Sequence, residues 1–231
     1  MSSKAAQLSP RTNHNTGLTG LVAVICMVVD HVGVMFYPSV TVFRVVGRIA
    51  LPLFAWGIAI GVGHTRNIGR YALRLLGMMI ISQPFYMFAL VHPLSRLNIF
   101  AVLLLGLVGI WGIRDGKLYL TAIALLLAQL LDMDYGLRGV LCVLLLYAAR
   151  NDPLALAVCF SAYCVIWGEN SRVILTLLDG QIRVRLQTMA ILALPILLWP
   201  TAKRTRLPRP LMYAAYPAHL GVLYMIKIIL E

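Results

Sequence analysis

Residues 18–36 read LTGLVAVICMVVDHVGVMF, an apolar run of about nineteen residues in which the only ionisable pair is Asp30-His31. As a helix, such a run is long enough to cross the hydrocarbon core of a bilayer. Ionisable groups at that depth are costly and are kept where they have a partner and a task. Asp30 and His31 are therefore the first candidates for an active site.

The rest of the chain has the same character. Of 231 residues, 61% are hydrophobic and 12% charged, and the mean hydropathy is +0.86. That composition excludes a soluble domain and predicts an all-α, polytopic transmembrane helix bundle. Further apolar runs cover residues 41–62, 71–91, 97–113, 118–131, 137–149, 154–168, 184–199 and 210–230, making about nine helices, of which the fifth to seventh are short. Residues 1–17 are polar and read as a loose tail ahead of one transmembrane domain over 18–231. The outline resembles a signal peptide, but no small-residue cleavage site follows, so the first run is expected to stay as a helix. In residues 171–182 apolar side chains lie between charges, which suits the membrane interface better than a crossing.

Net charge is +12 and the pI about 10.0. The cations sit in short loops, where the positive-inside rule accounts for them and a nucleic-acid partner is not needed. With the N-terminus cytoplasmic, twelve Lys and Arg fall inside and six outside, leaving Arg44 and Arg48 in or near the membrane. Cys26, Cys142, Cys159 and Cys164 all lie in apolar runs without a C-x-x-C, so neither a zinc site nor a disulfide framework is expected. No metal is assigned.

On this topology Asp30 and His31 occupy the outer half of the first helix. Arg44 and Arg48, four residues apart and so on one face, occupy the outer turns of the second. Successive helix positions differ by about 100°. Asp30 is therefore expected to pair with Arg44 or Arg48, leaving His31 to face a cavity. In the last helix Tyr216-Pro217-Ala218-His219 offers Tyr216 and His219, and Gln83 and Asn98 add amides at the same depth; these four are the predicted substrate-binding residues. Pro52, Pro84 and Pro217 predict helix irregularities, and Gly57, Gly61 and Gly63 read as close-packing positions. No phosphate loop, dinucleotide fingerprint, H-E-x-x-H or serine elbow is present, so any chemistry belongs to intramembrane residues.

Several stretches together resemble the TraX family of conjugation proteins. They are Asp30-His31-Val32-Gly33, FRVVGRIALPLFA over residues 43–55, His64-Thr65-Arg66-Asn67, Tyr71-Ala72-Leu73-Arg74, Ile81-Ser82-Gln83-Pro84, Leu97-Asn98-Ile99-Phe100 and Tyr216-Pro217-Ala218-His219-Leu220. The resemblance is strong over residues 20–105, returns at the C-terminus and is carried only by hydrophobicity between. It implies acetylation of the N-terminus of a conjugative pilin in the bacterial inner membrane. It also implies kinship with membrane acyltransferases that carry a histidine on an early helix and use cytosolic acyl-CoA. His31 is then the catalytic residue, beside Asp30, with Arg44 and Arg48 as supporting cations.

Under that implication His31 acts as general base, acetyl-CoA is the donor, and Arg66, Arg70 and Arg74 are placed to hold its phosphates. An outer-half site is also open to membrane lipids. Transfer of a phospholipid-derived group, such as a glycerophosphate, to pilin is the alternative. A third reading is non-enzymatic: a pilus-assembly or transport protein in which Asp30, His31 and Arg48 form an ion-pair network or proton relay.

Overall fold

The computed structural model describes residues 12–169, 171–177, 182–201, 205 and 209–230. Among them, nine helical segments lie over the nine apolar runs. In chain order they are α1 (Thr16–Phe36), α2 (Thr41–Gly47) running into α3 (Ala50–Val62), α4 (Ile68–Leu90), α5 (Ile99–Arg114), α6 (Leu118–Leu130), α7 (Gly136–Ala149) and α8 (Pro153–Gly168). A 3-10 helix (Gln187–Ala193) then runs into α9 (Leu194–Leu198), and α10 (Arg209–Leu230) follows. Four segments are long and apolar enough to cross a membrane: Thr16–Phe36, Thr41–Val62, Ile68–Leu90 and Tyr213–Leu230. The chain is a helical membrane protein.

Contacts between connecting segments mark two ends of the bundle. At one, Thr12 Oγ1 donates to the Arg150 carbonyl and Asn13 N–H to the Leu197 carbonyl. At the other, Leu97 and Met133 form a bridge, and Arg172 reaches Thr41. α3 is apolar on nearly every side and correspondingly central; Leu51, Leu53, Ala55 and Trp56 are fully enclosed. By contrast α4, α6 and α10 leave Leu73, Ile80, Phe88, Leu126 and Ile229 exposed, a surface that suits lipid.

Local chemistry sets the breaks. Pro52 has no N–H for the Arg48 carbonyl and its ring crowds that position. The expected irregularity therefore appears as a turn at Arg48-Ile49 that separates α2 from α3. Asn98 caps α5 through the Phe100 N–H, and Asn67 caps α4 through the Arg70 N–H.

One expectation needs correction. The loose tail assigned to residues 1–17 falls outside the described residues up to 11, but from Thr12 it is packed. Asn13 accepts from Trp56 Nε1 (2.6 Å), and Asn15 caps α1 and holds Thr205. The polar side chains here close one end of the bundle, where buried backbone groups need partners. In the segment after α8, expected at the membrane interface, β1 (Val173–Leu177) pairs antiparallel with β2 (Ile182–Arg185).

Candidate active site

Asp30 is 7% exposed and lies between two guanidinium groups. Arg44 Nη1 donates to its Oδ2 at 2.7 Å and Arg48 Nη2 at 3.3 Å. Arg48, itself 8% exposed, also bonds Gln187 Oε1 at 3.1 Å and lies 5.6 Å from the Tyr135 ring centroid. Asp30 thus pairs with both arginines, and the cluster locks α1 against the α2–α3 turn. Gly47 makes this approach feasible, since any Cβ there would fall on the Asp30 carboxylate. Gln187, on the 3-10 helix, is a member that the sequence did not reveal.

His31, one position on, turns away from this cluster. Its Nδ1 lies 2.6 Å from His219 Nε2, and the rings are 10° from parallel with centroids 4.9 Å apart. That separation is close to the N···N distance plus the two ring radii, so the rings meet edge to edge in one plane rather than face to face. His219 Nδ1 lies 2.8 Å from the Ala215 carbonyl, which only an N–H can satisfy. Nε2 of His219 is then an acceptor, His31 donates to it from Nδ1, and His31 Nε2 keeps its lone pair. This hydrogen-bond pattern assigns the tautomer, as a carboxylate does in a catalytic triad.

Two cavities adjoin beside His31, which lines the smaller of them, whereas His219 lines neither and stands behind His31. The larger, about 1020 Å³, is lined at one end of the bundle by His64, Arg66, Asn67, Arg70 and Arg74, and inside by Gly57, Phe54, Met27, Ile99 and Tyr216. A smaller chamber, about 50 Å³, is lined by His31, Asp30, Leu51, Asp134 and Tyr135. Met27, Phe54, Ile99 and Tyr216 belong to both walls. The Tyr216 hydroxyl is buried near the Ile99 backbone without closing a hydrogen bond to it. A cationic mouth, an apolar passage and a base at its inner limit suit a phosphorylated donor with a slender reactive arm.

Gln83 and Asn98, expected to bind substrate, are committed elsewhere. Asn98 is fully buried; its Nδ2 donates to the Met79 carbonyl and to Gln83 Oε1, and Gln83 Nε2 donates to the Arg96 carbonyl. They join α4 to the start of α5 and line neither cavity. Gly57 is a second correction: an added Cβ would meet nothing within 4 Å, so this glycine faces cavity space instead of a neighbouring helix.

At the far end of the chamber, Asp134 accepts from Tyr86 Oη at 2.6 Å and pairs with Arg96 at 3.5 Å. Burial pushes its carboxyl above the ordinary value, against the pull of Tyr86 and Arg96. Burial, with Arg96 nearby, pushes His92 below its ordinary value. The only sequence signal for this group was Asp-Tyr-Gly at a helix start. Among the described residues, no three His, Cys, Asp or Glu side chains converge as a metal site.

Comparison with known proteins gives the family of the chain. The family model described as "TraX protein" matches residues 18–227. The uncharacterised protein RP591 of Rickettsia prowazekii (strain Madrid E) is 46% identical over 46 residues, 20% of this chain and 18% of that protein. The probable fimbrial assembly protein FimC, serogroup H1, of Dichelobacter nodosus is 37% identical over 70 residues, 29% of each chain. The chain thus spans less than a third of the length of these curated relatives. No solved structure matches it. With nearly its whole length matched, the chain belongs to the TraX family.

Proposed function

We propose that this protein is a transferase of the bacterial inner membrane that acylates a conjugative pilin subunit, with acetyl-CoA as donor and His31 Nε2 as general base. The observation that carries this reading is His31, held by His219 and lining a chamber that shares the Met27, Phe54, Ile99 and Tyr216 wall with the large cavity. The printed name of the Dichelobacter relative, a probable fimbrial assembly protein, points in the same direction.

Donor phosphates suit the mouth, where Arg66, Arg70 and Arg74 combine charge with planar donors. The positive-inside count makes this mouth cytoplasmic, the side on which acyl-CoA is available. A slender thioester arm would pass Gly57 towards Tyr216. There His31 removes a proton from the acceptor, a step of the kind that contributes about 10²–10⁴-fold. His219 holds the tautomer and shares the developing positive charge. The Tyr216 hydroxyl would donate to the developing oxyanion. Arg44 and Arg48 already bond Asp30, so their part is to hold α1 and steady the field beside His31.

The test is the intact mass of the cognate pilin made with and without this protein. A gain of one acetyl group is expected. A glycerophosphate mass would transfer the role to a lipid donor, and an unchanged mass would leave only the non-enzymatic reading.

A further inference from the structure

Asp134 has no part in the reaction as described, yet it lines the same small chamber as His31. Its Oδ1 takes both the Tyr86 and Arg96 bonds, while Oδ2 accepts no hydrogen bond among the described residues. The Asp134 side chain is 23% exposed, and the residue lines the chamber wall. Arg44 and Arg48 bond Asp30, with Arg48 also on Gln187 and near enough to Asp134 to feel its charge, and Arg96 reaches only Oδ1 at the limit of bonding.

The turn that presents Asp134 is strained. Tyr135 stands at φ 63° and Gly136 at φ 50°, and a bulky residue in the left-handed region persists only where its surroundings impose it. Here the Leu97 N–H donates to the Asp132 carbonyl, the Asp134 N–H to the Leu97 carbonyl and the Gly136 N–H to the Met133 carbonyl. A second polar group on the same wall is the Tyr216 hydroxyl, which is 5% exposed, lies near the Ile99 backbone and closes no well-formed hydrogen bond among the described residues.

We propose that Asp134 is the acceptor-binding residue, seating the incoming group as an ammonium through Oδ2 at the end of the bundle opposite the cationic mouth. The assignment rests on the transferase reading above. The bound R–NH₃⁺ gives one proton to His31 Nε2, and the freed amine attacks the thioester carbonyl. A C–N bond forms, the C–S bond breaks, and the departing thiolate takes the second proton from nitrogen. His31 then releases its proton to water. The products are an amide, a thiol and one proton.

The experiment compares wild type, Asp134→Asn and Asp134→Glu as full-length protein in detergent with acetyl-CoA and the cognate pilin, alongside thermal unfolding. Asn can still accept from Tyr86 but has no charge, whereas Glu keeps the charge and strains the turn. The expected result is a hydroxylamine-resistant amide product. With Asn, KM for pilin should rise about tenfold or more, the effect of losing a charge-assisted hydrogen bond, while KM for acetyl-CoA stays unchanged. Glu should fall between Asn and wild type in pilin KM although it unfolds at the lowest temperature. Purely structural support at Asp134 would reverse the order of the two variants. That reversal, an Asn variant within threefold of wild type, or a hydroxylamine-labile ester overturns the assignment while leaving the transferase intact. No acetylation by wild type overturns both.

Discussion

Replacing Gly57 with leucine separates folding from passage of the donor. Gly57 lies in the middle of α3, where glycine costs a helix roughly 0.8–1.0 kcal/mol relative to alanine. Nothing within 4 Å meets an added Cβ, so Gly57→Leu gains helix propensity without displacing a neighbour. Stability should rise by about 0.5–1 kcal/mol. The new side chain would instead enter the large cavity alongside Phe54, between Arg66, Arg70 and Arg74 and the wall shared with the His31 chamber. If the thioester arm must pass there, exclusion should cost at least about 3 kcal/mol in kcat/KM, roughly a hundredfold. Gly57→Ala, with one methyl group, should cost much less. The assay pairs acetyl transfer and acetyl-CoA binding with thermal unfolding in the same detergent. A stable Gly57→Leu protein with wild-type transfer would refute the assignment of this cavity to the donor.

Other outcomes follow from the same geometry. His219→Leu removes the acceptor that fixes the His31 tautomer, so kcat should fall about 10²–10³-fold with KM for acetyl-CoA unchanged; His219→Gln, whose Oε1 can accept the same bond, should retain part of the rate. Gly47→Ala drives a methyl group into the Asp30 carboxylate and should destabilise by roughly 3 kcal/mol, read by denaturant unfolding, because breaking a buried ion pair costs that much. Asn98→Ala should lose about 1–2 kcal/mol through the cap and its α4 bonds, while activity per folded molecule stays within about twofold of wild type. A large rise in KM for either substrate with Asn98→Ala would restore it as a binding residue.

The segments and the ion cluster were legible because their signals are local. Apolar runs mark helices without reference to neighbours, and Arg44 and Arg48 share a face by spacing alone. Splitting Asp30 from His31 needed only the 100° between adjacent helix positions. What joins His31 to His219 was not legible, since 188 residues separate them and the rotational phase of α1 against α10 is set by packing. Gln83 and Asn98 misled for a physical reason: an amide in an apolar bundle is as useful to an unsatisfied backbone group as to a substrate. Gly57 misled in the same way, because a glycine chosen for empty space and one chosen for close packing look identical in a sequence. Nothing in the sequence sets Asp134 apart from other charges between helices, and only the fold brings it to the chamber wall.

The central claim is that donor and acceptor reach His31 from opposite ends of the bundle. Labelled acetyl-CoA added to sealed membrane vesicles carrying this protein and its pilin tests it directly. Inverted vesicles, which present the cationic mouth to the medium, should transfer label to pilin, and right-side-out vesicles should not. Equal labelling in both, or labelling only in right-side-out vesicles, would contradict the account.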